Sequence, residues 1–161
     1  MLEKFENMPD SSRLWVYQFE RVLDKKEQER VLQGMMPFIE SWQAHGKDLK
    51  ASCELKYGLF LILAVDEDMH GATGCSIDSS VNAIKKIVAE IGVDCFDRSK
   101  VAFRNGDNFI VRSLQELKSS AESGELNADS LVYNNGVADK SSFLKTWELK
   151  ALDSWAKRYI V

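Results

Sequence analysis

A run of seven apolar residues, 59–65, dominates the middle of the sequence. It is too short to cross a bilayer as a helix, and it predicts a central strand that is buried on both faces. In the preceding stretch Ala51, Cys53, Leu55 and Tyr57 alternate with polar residues, the pattern of a strand with one wet face. Because Gly58 separates the two stretches, we predict a β-hairpin.

The surrounding segments predict further elements in a regular order. Residues 14–19 are rich in aromatic and β-branched side chains and predict a strand. A three- and four-residue apolar spacing predicts one helix from Lys25 to about His45-Gly46, with a kink at Pro37, and a second helix from Ile77 to Gly92. Residues 100–104 and 108–112 flank an Asn-Gly turn and predict a second hairpin.

This order predicts an α+β fold with a ferredoxin-like split βαβ core, β-α-β-β-α-β. We expect one domain over residues 1–161, with this core in residues 1–112. Residues 113–161 then form an extension packed on the core, with a short helix at 114–123, a strand at 130–133 and a tail containing Trp147 and Trp155.

Charge and cysteine content restrict the function classes. The formal net charge is −4 and the longest basic clusters are pairs, which argues against nucleic-acid binding. Three cysteines and two histidines without a CxxC spacing argue against a metal site, and nothing predicts a cofactor. Without a signal-like or membrane-spanning segment, we expect a cytoplasmic protein with reduced thiols and no membrane partner.

The segment from Gly71 to Asp78 is the first candidate site. Its glycines precede the second predicted helix, and amides at a helix start can bind an anion. We therefore name Gly74, Ser76 and Ile77 as candidate anion-binding residues, and we expect Ser76 to be the N-cap.

Cys75 is the candidate nucleophile, because a thiol at a helix N-terminus can have a lowered pKa. His45 and His70 are the two candidate bases. The alternatives are a small buried cysteine at Cys75, a helix C-terminal charge at His45 and an exposed turn residue at His70.

Other charged groups have weaker claims. Asp66, Glu67, Asp68 and Asp78 could hold a divalent cation, but such a run is more often a solvated turn. Arg98, Arg104 and Arg112 could meet an anionic ligand if the fold brings them together; otherwise they are exposed strand positions.

Five stretches resemble one family over nearly the whole chain: Ser41-Trp-Gln-Ala-His-Gly-Lys47, Val65-Asp-Glu67, Gly74-Cys-Ser-Ile-Asp-Ser-Ser80, Asp94-Cys-Phe-Asp-Arg98 and Asp153-Ser-Trp155. The family consists of short, uncharacterised bacterial proteins that often carry the automated label ABC transporter ATPase. A P-loop ATPase requires Gly-x-x-x-x-Gly-Lys-Ser/Thr to hold phosphates and magnesium, and the sequence has no match. The resemblance therefore implies a family and no activity.

Two functions remain open. The first is a non-catalytic binding or regulatory domain for a small molecule or a protein, with homodimerisation possible. The second is a small thiol-dependent enzyme that uses Cys75 with a histidine base.

Overall fold

The computed structural model describes residues 1–160 of the chain. These residues form five α-helices and three antiparallel sheets, as the α+β prediction requires. The helices are α1 (Lys25–Ser41), α2 (Gly74–Ile91), α3 (Leu117–Glu122), α4 (Lys140–Thr146) and α5 (Lys157–Ile160). The strands are β1 (Arg13–Gln18), β2 (Gln43–Ala44), β3 (Lys47–Asp48), β4 (Lys50–Lys56), β5 (Phe60–Asp66), β6 (Lys100–Asn105), β7 (Asn108–Ser113), β8 (Leu131–Tyr133) and β9 (Glu148–Lys150).

Strands β1, β5 and β4, in that order, form the N-terminal sheet. The apolar run is its middle strand, β5, and every residue of β5 except Asp66 is buried. The β4–β5 hairpin is confirmed, and it turns through Tyr57 and Gly58, which have φ angles of 59° and 64°. Such left-handed angles are usual in tight hairpin turns, and they cost a tyrosine more than a glycine.

Helix α1 packs against β4 and α2. It is shorter than predicted, because the chain becomes extended at Trp42 and then forms the small hairpin β2–β3. His45 and Gly46 have φ angles of 52° and 74° at the tip of that hairpin. The prediction that α1 reaches His45-Gly46 is therefore wrong: this pair is a hairpin turn and not a helix end.

Strands β7, β6, β8 and β9, in that order, form the C-terminal sheet. The hairpin at Asn105-Gly106 is confirmed. A ferredoxin-like core, however, requires the strand after α2 to pair with β1, and β6 pairs with β7 and β8 instead. The four-stranded ferredoxin-like sheet is therefore not confirmed, and β1 stays an edge strand of a three-stranded sheet.

The C-terminal sheet lies between two apolar cores. One face carries Tyr133 toward the main core, where its ring is 4.6 Å from the Phe60 ring and 4.7 Å from the Trp147 ring. The other face covers a smaller core of Phe103, Leu117, Leu126, Val132, Ala151 and Ala156. Because this sheet combines β6 and β7 with β8 and β9, it crosses the boundary expected at residue 112.

The short helix and the strand expected after residue 113 are present as α3 and β8. Helix α4, strand β9 and helix α5 were not predicted. None of the helices in residues 1–160 combines the length and the apolar character that a membrane crossing requires.

Candidate binding cleft beside β1

The structure places the predicted nucleophile, Cys75, on the surface. It is the second residue of α2 and is exposed, so the alternative of a small buried cysteine is wrong. The buried thiols are Cys53 and Cys95, and burial raises the pKa of each to about 12. At neutral pH these two thiols are protonated and unreactive.

The two candidate bases do not bond to the thiol. His45 is exposed at the β2–β3 tip, and His70 is half-buried in the loop before α2. The indole nitrogen of Trp42 donates to the Ser76 carbonyl at 2.8 Å, which holds the start of this hairpin against α2. Even so, among residues 1–160 no hydrogen bond joins the Cys75 sulfur to either imidazole.

The candidate anion-binding amides belong largely to the helix cap. Thr73, and not Ser76, is the N-cap of α2. The Ser76 amide donates to Thr73 Oγ1 at 3.3 Å and the Ile77 amide donates to the Thr73 carbonyl at 2.9 Å. The Thr73 amide donates in return to Ser76 Oγ, which completes a capping box. Of the three candidates, only the Gly74 amide lacks an acceptor within the described chain.

The acidic turn is likewise occupied by local contacts. Asp66 Oδ1 accepts from the Asp68 amide at 3.0 Å, and Glu67 Oε2 accepts from the Ala72 amide at 2.9 Å. Within residues 1–160 no group of three metal-ligating side chains is assembled.

The outer edge of β1 offers a different kind of surface. The Phe19 amide bonds to Leu59 beside β5, whereas the Leu14 amide points outward and bonds to the Ala138 carbonyl at 3.0 Å. Because strand residues alternate in direction, the amides and carbonyls of Val16 and Gln18 also point outward. No backbone group in residues 1–160 pairs with them, so the middle of this edge is open.

This open edge is the floor of a cleft of about 420 Å³, which we call the β1 cleft. Its volume lies in the usual range for ligand sites. The lining consists of residues 13–18, 95–98, 100 and 135–138.

The lining of the β1 cleft is rich in cations. Arg13, Arg98 and Lys100 contribute three positive charges and Asp97 one negative charge. Arg13 is 4.0 Å from Glu67, and Lys100 is close enough to Asp97 and Glu116 to interact with them electrostatically. Among the described residues, no carboxylate lies within ion-pair distance of Arg98. An acidic protein therefore carries a cationic cleft, which favours an anionic ligand.

Arg98 acts on Tyr17, whose ring lies in the same cleft. Burial raises the pKa of the Tyr17 hydroxyl, and the Arg98 charge opposes this effect. The Tyr17 ring also meets Phe96 edge to face, with ring centroids 5.8 Å apart. The guanidinium is thus close enough to the β1 cleft to act on a group inside it.

A chain of amide contacts supports the base of the cleft. Trp147 Nε1 donates to Asn135 Oδ1 at 3.0 Å, and Asn135 Nδ2 donates to Gln18 Oε1 at 3.0 Å. Gln18 Nε2 then donates to the Lys100 carbonyl at 3.1 Å. These bonds link β1 to the C-terminal sheet and hold the walls of the cleft at a defined separation.

The three arginines considered together in the sequence are separated in the fold. Arg104 pairs with Glu148 at 3.5 Å, and Arg112 pairs with Glu125 at 2.6 Å. Only Arg98 faces a cleft without such a partner. The sequence pointed to Arg98 as one of three, but nothing in it identified Gln18, Lys100 or Asn135, because their role depends on the free edge of β1.

Comparisons with known proteins return no match among protein-family descriptions, curated proteins or solved structures.

Proposed function

We propose that this protein is a non-catalytic binding domain that holds an anionic ligand in the β1 cleft. The observation that carries the proposal is Arg98 beside an open strand edge, a cation with no carboxylate within ion-pair distance in residues 1–160, with the Lys100 charge in the same lining. The ligand would replace the missing counter-charge and use the free backbone groups of Val16 and Gln18.

The alternative, a thiol-dependent enzyme using Cys75, has less support. Its nucleophile is exposed, and neither His45 nor His70 bonds to it. The alkylation rate of Cys75 against pH tests this alternative. A midpoint near about 8.5, the ordinary value for cysteine, would leave the thiolate hypothesis without basis.

A thermal-shift titration with citrate, a small polycarboxylate, tests the proposed function. A ligand that binds only the folded state must raise the melting temperature. We expect citrate to raise it for the unmodified protein and to have at most a small effect on Arg98→Ala. The matched control is Arg158→Ala, because Arg158 lies on α5 away from the cleft and should leave the shift unchanged. Absence of a shift, or an equal shift in Arg98→Ala, would contradict the proposal.

Three further assignments remain part of this proposal. The β1-β5-β4 order with α1 and α2 supports a relationship to the ferredoxin-like arrangement, with the place of the fourth strand taken by the β1 cleft. Three free thiols fit a cytoplasmic location. Membership of the bacterial family named above rests on the sequence stretches alone.

A further inference from the structure

The β1 cleft has features that narrow its ligand class, and we infer that its occupant is the C-terminal end of a peptide, bound as a short additional strand on β1. This inference rests on the proposed function, because it concerns the same cleft. Three properties of the cleft carry it: alternating free backbone groups along the floor, closure at both ends, and the positive charge of the lining.

The floor supplies the bonding pattern of a strand. Val16 and Gln18 each present an amide and a carbonyl toward the cleft, two residues apart, which is the spacing of an antiparallel or parallel ladder. A compact anion without a backbone could use the amides but would leave the carbonyls unpaired. An extended peptide pairs with both, which is how peptides add to exposed sheet edges.

The ends of the cleft limit how long that strand can be. At one end the Leu14 amide bonds to the Ala138 carbonyl at 3.0 Å. At the other end the Glu20 amide bonds to the Asp94 carbonyl at 3.1 Å, and Gln18 Nε2 bonds to the Lys100 carbonyl at 3.1 Å. The open edge from Leu14 to Gln18 is only about 13 Å long. A strand that ran straight through would collide with one of these closures, so the bound chain has to stop inside the cleft.

The charge of the lining selects which chain end stops there. A C-terminus carries a carboxylate, whereas an N-terminus carries an ammonium group. Arg98 and Lys100 lie at the same side of the cleft, on the segment that closes the Gln18 end, and among residues 1–160 no carboxylate lies within ion-pair distance of Arg98. A terminal carboxylate complements them, and the fork of a guanidinium can bind both of its oxygens.

An array of synthetic pentapeptides with free C-terminal carboxylates, probed with the whole protein, tests the inference. The tightest sequence is then measured in solution in four forms: free carboxylate, C-terminal amide, and two forms N-methylated at alternate backbone positions. We expect amidation to weaken binding at least about tenfold. We expect one N-methylated form to bind as the parent does and the other to lose binding, because only every second amide of a strand faces β1.

The protein variants from the citrate titration are the matched pair here as well. Arg98→Ala should weaken the free-carboxylate peptide and leave the amide unaffected, and Arg158→Ala should change neither. Equal binding of amide and carboxylate, equal effects of the two methylations, or no bound peptide would overturn the inference. If citrate still stabilises the protein in that case, the proposed function stands and only the peptide assignment falls; if citrate also has no effect, both fall.

Discussion

The N-terminal sheet has two edges, and the rest of the chain treats them differently. At the β4 edge the segment before β1 pairs with Ala51: the Ala51 amide donates to the Met1 carbonyl at 3.0 Å, and the Glu3 amide donates to the Ala51 carbonyl at 2.8 Å. At the β1 edge the chain touches only the two ends and leaves Val16 and Gln18 free. Exposed strand edges invite pairing with other chains, and proteins usually cover or charge them. The pairing at the β4 edge ends at Ala51, and the outward backbone groups further along β4 have no backbone partner in residues 1–160. Both edges are thus open in part, and the cationic walls distinguish the β1 edge as a site for an anionic ligand.

A buried lysine helps to hold the cover on the β4 edge. Lys140 is 6% exposed, and its Nζ donates to the carbonyls of Phe5 at 2.9 Å and Met8 at 2.7 Å. A third bond reaches the Glu6 carbonyl at 3.3 Å. These contacts fix the turn that carries residues 1–3 to β4.

Lys140→Met should produce the largest loss of stability. It removes three charge-assisted bonds and leaves buried carbonyls unpaired, so we expect a loss of about 3 kcal/mol in the free energy of unfolding, measured in urea. The Glu3 amide should also exchange faster with solvent. Lys145→Met is the control, since Lys145 is exposed on the same helix and should cost less than about 0.5 kcal/mol. Equal effects of the two variants would mean that the Lys140 contacts do not hold the N-terminal segment on β4.

Asn135→Ala should cause the next largest loss of stability, and it acts at the β1 edge. It leaves Trp147 Nε1 and Gln18 Oε1 without partners, and we expect a loss of about 2 kcal/mol in urea unfolding. Asn82→Ala, at an exposed position of α2, is the matched control. A stability equal to that of the control would show that the amide chain does not support the cleft.

Hydrogen exchange compares the free and the paired amides of β1 directly. The backbone amides of Trp15 and Tyr17 point toward β5, whereas those of Val16 and Gln18 point toward the cleft. We expect the second pair to exchange at least about tenfold faster in the unliganded protein. Uniform protection along β1 would contradict an open edge, and slowing of only Val16 and Gln18 by a bound peptide would support strand addition.

The smallest change in stability is expected from Cys75→Ser, within about 0.5 kcal/mol, because Cys75 is exposed and belongs to neither edge. Labelling of the other two thiols shows how far each edge of the N-terminal sheet opens. Cys53 lies in β4 and Cys95 lines the β1 cleft, and burial raises the pKa of both to about 12.

At about pH 8.5 a thiol reagent should therefore label Cys75 quickly and the other two only after unfolding. In Lys140→Met, labelling of Cys53 should become faster while Cys95 stays slow. If the labelling of Cys53 and the labelling of Cys95 became faster together, the two edges would open together, which would contradict independent behaviour of the edges.

Much of the fold follows from local patterns. The β4–β5 hairpin, the β6–β7 hairpin and α2 were predicted because an apolar period or an Asn-Gly pair specifies each within a few residues. The end of α1 was misjudged because His45-Gly46 can close a helix or turn a hairpin, and Trp42 packing on Ser76 decides for the hairpin. The N-cap was misplaced because threonine and serine are both good caps. In the structure, Thr73 is the cap and the side chain of Ser76 accepts a bond from the Thr73 amide.

The candidate site was less accessible from the sequence. Cys75 stands out by residue type, but its thiol faces solvent, and the Ser76 amide beside it is engaged in the capping box. Arg98 was noticed, yet only as one of three similar residues. Ion pairs with Glu148 and Glu125 hold Arg104 and Arg112 away from it, and no local pattern in the sequence predicts those pairs.

What the sequence alone determined is the α+β class, the buried central strand and its hairpin, and the absence of a P-loop motif, because each depends on residues within one short window. Tertiary structure alone decided the partner of β6. Pairing of β6 with β7 is local, but pairing with β8 involves residues more than twenty positions away. Because β6 pairs with β7 and β8, it does not pair with β1. The open edge, its cationic walls and the cleft between them exist because of that one choice of strand partner.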